Sequence, residues 1–114
     1  MNTQELIEAV RQWGIDKGIT GPNGRGTLLA QLTKTAEELT ETRDAAVTYN
    51  QHQPESLEAI DAWCDIRDGI GNCTVMLILA AEMAGRRFGD CLQSAYDEIK
   101  GRTGKMINGQ FVKD

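Results

Sequence analysis

Histidine occurs once, at His52, and cysteine three times, at Cys64, Cys73 and Cys91, with no C-x-x-C pair among them. Structural zinc normally shows close ligand pairs, so a zinc-built fold is disfavoured, and a Cys–His nucleophile pair is equally unsupported. The three thiols read as buried and reduced, the usual state in a cytosolic protein. Basic residues are also too few for a duplex-binding protein: 12 Lys and Arg stand against 17 Asp and Glu, a net charge of −5. Such a protein needs a basic footprint to neutralise phosphates, so no nucleic-acid partner is expected. Small phosphorylated ligands stay open, because a bound metal can offset their charge locally. Long apolar runs are missing as well. The longest, Cys73 to Ala81, falls short of the roughly 20 residues that span a bilayer. With no signal-peptide pattern either, the expectation is a soluble cytoplasmic protein with no membrane partner.

What is present points to helix. The 114 residues suit a single domain over 1–114, and a 5% aromatic content with many Ala, Leu, Ile and Glu favours an all-α fold. A core of this size is modest, which keeps oligomerisation in view. Asn2 to Trp13 reads as a first helix with Leu6, Val10 and Trp13 on one face, and Asn2 with Glu5 resembles a capping box. Gly18 to Gly26 is a loop by composition. Without a Gly-Lys-Ser/Thr or a preceding strand it reads as a flexible connector rather than a phosphate cradle.

Thr27 to Tyr49 is expected as a second helix, with Leu28, Leu32, Ala36 and Leu39 as its buried seam. Pro54 sits where a third helix can begin, since its missing N–H costs nothing there. That helix runs to Ala84 with Ile60, Trp63, Ile66, Ile70, Leu77 and Ala84 as its buried face. Its second half is apolar nearly all round, as in a helix at the centre of a bundle or in a subunit interface. A fourth helix is expected over Phe88 to Gly101, with Phe88, Cys91, Leu92, Ala95 and Ile99 facing inwards. Asn108-Gly109, flanked by apolar pairs, is a strong hairpin signal.

Two acidic stripes stand out. Glu38 and Glu41, and Glu37 and Glu41, are neighbours at three- and four-residue helical spacing; Asp65, Asp68 and Asn72 form a second stripe beside the seam of the third helix. Like charges so placed repel, and a hard divalent cation reverses that sign by taking oxygen ligands. Carboxylates on facing helices build metal sites in this way. A merely solvated acidic face is the alternative.

The pattern Glu37-Glu38-x-x-Glu41, followed by a helix with acidic spacing that runs into a long apolar stretch, resembles the all-α nucleotide pyrophosphohydrolases of the MazG type. Gln31 and Lys34 ahead of the glutamates also match. The ending Ala95-Tyr96-Asp-Glu-Ile-Lys100-Gly-Arg102-Thr-Gly-Lys105-Met106-Ile-Asn-Gly109-Gln-Phe111-Val112-Lys113 resembles the tail of the compact, single-domain members often found in phages. The likeness covers nearly the whole chain and is most specific in the first acidic motif and the tail. It implies a four-helix MazG-like bundle with a short C-terminal hairpin, its core completed by formation of a homodimer or homotetramer. It also implies Mg²⁺-dependent cleavage of (deoxy)nucleoside triphosphates between the α- and β-phosphates, with Mn²⁺ as a substitute metal and host cytoplasm as the location if the chain is phage-encoded.

On that resemblance Glu38, Glu41, Asp65, Asp68 and Asn72 would hold the metal, and Glu37 or Glu38 would accept the proton of the attacking water. Gln31, Lys34, Lys100, Arg102 and Lys105 would face the phosphates, and the base would rest near the first helix, against Trp13 or its neighbours. One departure matters. Counted back from the tail without gaps, the family's Glu-x-x-Asp falls on Gly69-Ile-Gly-Asn72, so one carboxylate is missing and the other is an amide. Asp65 and Asp68 lie one turn earlier on roughly the same face and could inherit the metal. A catalytically impaired nucleotide-binding relative, or a non-enzymatic helical interaction module, are the alternatives.

Overall fold

The structure, a computed structural model, describes all residues from Met1 to Asp114. It is mostly helical, 67% of the chain in four helices, with one small two-stranded antiparallel sheet. The order is α1 (Thr3–Asp16), α2 (Leu28–Asn50), α3 (Leu57–Met83), α4 (Phe88–Ile99), β1 (Gly104–Ile107) and β2 (Gln110–Lys113). No helix is long and apolar enough to cross a membrane.

Each of the first three helices starts on a side-chain cap, which satisfies a backbone N–H that the helix itself leaves free. Asn2 and Glu5 form the expected capping box: the Glu5 N–H donates to Asn2 Oδ1 at 2.8 Å and the Asn2 N–H to Glu5 Oε1 at 3.2 Å. Thr27 caps α2 and Ser56 caps α3. Helix α3 thus begins at Leu57, three residues beyond Pro54, because the Ser56 hydroxyl accepts the Ala59 N–H and takes the starting role that proline was expected to fill. The Gly18–Gly26 segment is not a flexible connector. The Ile19 and Thr20 N–H groups fold back onto the Gly14 carbonyl, Arg25 donates to Gly18 at 2.9 Å, and Gly26 donates to Ile19 at 2.9 Å. Gly24 lies so close to the Thr20 backbone that a Cβ there would sit 2.5 Å from the Thr20 carbonyl carbon.

The chain is organised by the antiparallel pairing of α2 with α3; α1 packs across α3, and α4 touches only α3. Arg11 of α1 reaches Glu82 of α3, and Glu8 at 2.6 Å, which ties the two helices. The hydrogen bond to Glu82 is the main cause of an Arg11 pKa above its ordinary value. The hairpin closes through Asn108 (φ 51°) and Gly109 (φ 80°), the two positive-φ positions of a two-residue turn. Its register pairs Lys105 with Val112 and Met106 with Phe111. The hairpin packs on no helix.

The helix faces differ from the sequence expectation. The α2–α3 contact is made by small residues: Thr35, Ala59, Ala62 and Gly69 are buried in it, while Leu39 is 60% exposed and Leu28 and Leu32 are also exposed. Thr35 and Thr42 donate their hydroxyls back to the Gln31 and Glu38 carbonyls at 2.7 and 2.8 Å. This satisfies the polar atoms inside their own helix and lets the backbones approach. On α3 the expected seam is likewise outward: Trp63 is 61% and Ile70 60% exposed, and Ile60 and Leu77 are exposed too. In α1 the half-buried residues are Ile7, Ala9, Val10 and Arg11, whereas Leu6 and Trp13 are exposed. Helix α4 buries no residue; only Phe88 of its apolar face is half-covered. The apolar second half of α3 is covered within the chain at Ile78, Leu79, Ala80 and Ala81. The thiols depart from expectation as well, since Cys64 and Cys73 are half-buried and Cys91 is exposed.

Leucine and isoleucine are turned out because the chain presents two apolar stripes and has only one helix to set against each. At 100° per residue, Leu28, Leu32 and Leu39 on α2 fall on the same side of the hairpin as Ile60, Trp63 and Ile70 on α3. The side opposite carries the acidic residues. The α2–α3 pair therefore has one apolar and one acidic face.

Candidate active site

The acidic face is a cleft of about 460 Å³ between α2 and α3, lined by Glu38, Glu41, Thr42, Asp44, Ala45 and Thr48 from one helix and Asp65, Asp68, Gly69 and Asn72 from the other. The spacing explains the gathering. Residues 38, 41, 45 and 48 repeat every three or four positions on α2, as 65, 68, 69 and 72 do on α3, so each series occupies one stripe. The antiparallel pairing then turns both stripes to the same side. Five carboxylates share this cleft and no Lys or Arg lines it.

The floor is set by Gly69. A Cβ placed there would run into Thr42, meeting its Oγ1 first and lying 2.9 Å from its Cβ and 3.0 Å from its Cγ2. The two helices therefore approach closely where the ungapped register would put a glutamate. Glu38 is half-buried beside this crossing, while Glu41, Asp44, Asp65, Asp68 and Asn72 are exposed. Glu38, Glu41 and Asp65 have no cationic partner within ion-pair distance. Asp68 meets Arg67 at 3.2 Å and Asp44 meets Arg43 at 3.8 Å, both on open surface where such pairs contribute little.

Of the residues singled out in the sequence, Glu38, Glu41, Asp65, Asp68 and Asn72 come together in the cleft. Glu37 does not line it; it is exposed and pairs with Lys34 at 3.8 Å. Gln31 lies further up α2, its side-chain amide donating to the Met76 carbonyl at 3.4 Å. Lys100 pairs with Asp97 at 3.2 Å and Arg102 with Glu98 at 3.7 Å. Lys105 is exposed on β1, so none of the tail cations reaches the cleft of its own chain. Asp44 was missed by the sequence reading, although its three-residue step from Glu41 continues the same stripe.

The donor set is all oxygen and strongly negative, the chemistry that a hard divalent cation such as Mg²⁺ takes. No three acidic, cysteine or histidine side chains are yet drawn into one ligand cluster. The residues suit such an ion by their oxygen chemistry and by their placement on facing helices. Comparison with models of known protein families, with curated protein sequences and with solved structures found no match. The likeness to the MazG type therefore rests on the motifs quoted above.

Proposed function

We propose that the chain is a Mg²⁺-dependent nucleoside triphosphate pyrophosphohydrolase of the MazG type, cleaving its substrate to monophosphate and pyrophosphate. One observation carries the reading: the acidic stripes of α2 and α3, five or more residues of one chemistry and far apart in sequence, line a single cleft. The bound ion would supply charge neutralisation for the phosphates and a more acidic water. Glu38, Glu41, Asp65 and Asp68 would hold it, with Asn72 offering a neutral carbonyl oxygen. Glu38 is the half-buried carboxylate of the set, and on this reading it would take the proton as a water oxygen bonds to the α-phosphorus and the bond to the pyrophosphate oxygen breaks. Glu37, outside the cleft, is the weaker candidate for that task.

The test is pyrophosphate release from a panel of ribo- and deoxynucleoside triphosphates with Mg²⁺, with Mn²⁺ and with EDTA. Metal-dependent formation of monophosphate and pyrophosphate is expected, abolished by EDTA. Silence with nucleotide still binding would favour an impaired relative lacking carboxylates at Gly69 and Asn72. Silence without binding would leave the helical interaction module.

The same reading includes a homodimer or homotetramer. A folded monomer of 12.5 kDa exposes about 6,200 Å², whereas this chain exposes 8595 Å². Its radius of gyration is 16.9 Å, against about 13 Å for a compact domain of this length. An excess of roughly 2,400 Å² is of the size that obligate interfaces cover, and the outward Leu39, Trp63 and Ile70 supply the apolar surface. Ile70→Glu places a charge in that stripe. It is expected to convert the assembly to a 12.5 kDa species in light scattering; an unchanged mass would remove this face from the interface.

A further inference from the structure

In an Asn-Gly dipeptide the backbone amide can attack the preceding side chain with little hindrance, because glycine has no Cβ to stand in the way. The chain holds two such dipeptides, Asn23-Gly24 and Asn108-Gly109, and both asparagines are exposed. The fold treats them oppositely. In the first loop the Gly24 N–H donates to the Gly21 carbonyl at 3.0 Å, and bonds from Arg25 to Gly18 and from Gly26 to Ile19, both 2.9 Å, lace the same segment. Gly24 is half-buried and lies against the Thr20 backbone. In the hairpin the Gly109 N–H donates to nothing. Gly109 is exposed, a Cβ built on it would meet nothing within 4 Å, and the strands it joins pack on no helix. A two-stranded piece of this kind is marginal in water, so its turn opens at small cost.

We infer that Asn108 is a site of spontaneous deamidation and that Asn23, with the same neighbour in sequence, is protected from it. The reaction needs only water and a general base. The Gly109 nitrogen loses its proton and bonds to the Asn108 side-chain carbonyl carbon, closing a cyclic imide. The bond from that carbon to the side-chain nitrogen breaks, and ammonia leaves with a proton in place of the one the backbone gave up. Water then adds to one imide carbonyl and breaks its bond to nitrogen. Opening at the side-chain carbonyl gives aspartate; opening at the backbone carbonyl gives isoaspartate, with the main chain routed through Cβ. At Gly24 the nitrogen must first leave the Gly21 carbonyl and move away from Thr20. Opening that loop breaks the three backbone hydrogen bonds just named, which makes the reactive state rarer by on the order of 100-fold. The two products differ in what they do to the hairpin. Asp-Gly closes the same two-residue turn as Asn-Gly, so the aspartate form keeps the pairing of Ile107 with Gln110. The isoaspartate form inserts a methylene into a turn whose two φ angles are both positive and whose length sets the register, so that pairing is lost.

The test incubates the full chain in mildly alkaline buffer, once folded and once in urea, and follows both dipeptides by peptide mapping, with electron-transfer fragmentation to tell aspartate from isoaspartate. In urea the two should react at comparable rates, which calibrates the chemistry free of the fold. In the folded chain Asn108 should react about tenfold or more faster than Asn23, and a more acidic form should accumulate on anion exchange. Amide exchange along the strands should quicken in the isoaspartate fraction and stay unchanged in the aspartate fraction. Asn108→Asp has no ammonia to lose at this turn; it should keep its helical signal and show little further acidic drift. Equal rates at the two sites in the folded chain would overturn the inference, as would faster reaction at Asn23. So would an Asn108 that stays intact when folded yet reacts in urea, because the turn would then be held closed or covered. Failure of both to react in urea would remove the chemistry itself. None of these readouts depends on pyrophosphate release.

Discussion

Glu38→Gln is expected to lower Mg²⁺-dependent pyrophosphate release by about 100-fold or more, the range associated with losing a positioned proton acceptor. The substitution keeps the shape of the side chain and removes its charge and its basicity. It also removes one of five clustered carboxylates, so repulsion in the cleft falls and the melting temperature should hold or rise slightly. That pairing of effects separates a functional residue from a structural one. Glu37→Gln serves as the comparison: it lies outside the cleft, on open surface beside Lys34, and only a small loss is expected. Steady-state pyrophosphate release and a thermal melt on the same preparations decide the matter. Full activity in Glu38→Gln, once activity is established for the parent chain, would move the site elsewhere.

The second large effect concerns stability. Gly69→Ala should destabilise the chain by up to about 2 kcal/mol. A mid-helix glycine costs about 1 kcal/mol relative to alanine, so the same substitution at an open position would stabilise. Here the new methyl meets Thr42, 2.9 Å from its Cβ and closer still to its hydroxyl, and overpacking of this kind costs about 1–3 kcal/mol. Adding Thr42→Ala removes the hydroxyl and methyl but leaves the Cβ, so partial recovery is expected. Urea titration reads this as a lower midpoint with an unchanged slope. A rise in the midpoint for Gly69→Ala alone would show that α2 and α3 cross less tightly at this point. The same crowding accounts for the position of the carboxylates on α3. A glutamate at 69 would have to begin from a Cβ that has no room, whereas Asp65 and Asp68, one turn earlier, look into the cleft from open positions.

The sequence made the helices legible because their ends are written in local chemistry. Asn2 with Glu5 and the Asn108-Gly109 turn each act over three or four residues. The acidic site was legible for a related reason, since three- and four-residue spacing turns a pattern into a face. What the spacing could not say was which of two faces meets the neighbour. On α2 the leucines are the stronger apolar stripe, yet threonines make the contact, because hydroxyls returned to the Gln31 and Glu38 carbonyls cost no unsatisfied polar atom and allow a closer approach than leucine does. The same limit applies to Ile60, Trp63 and Ile70. Hydrophobic periodicity marks a surface to be covered and is silent on whether the cover is the same chain. The lacing of Gly18–Gly26 was illegible because backbone hydrogen bonds within a loop leave no trace in residue type beyond the glycines themselves.

The scarcity of interior side chains has a consequence for how the molecule exists in a cell. Only 10 of 114 residues are buried, and no large side chain is fully enclosed. On the two-copy reading a further share of the apolar surface, including Leu39, Trp63 and Ile70, is removed from water only when chains meet, so folding is coupled to association and governed by mass action. Dilution then acts as a denaturant, the melting temperature rises with protein concentration, and newly made chains stay open to proteases until partners accumulate. Expression level would in that case set not only the amount of the protein but the fraction of it that is folded.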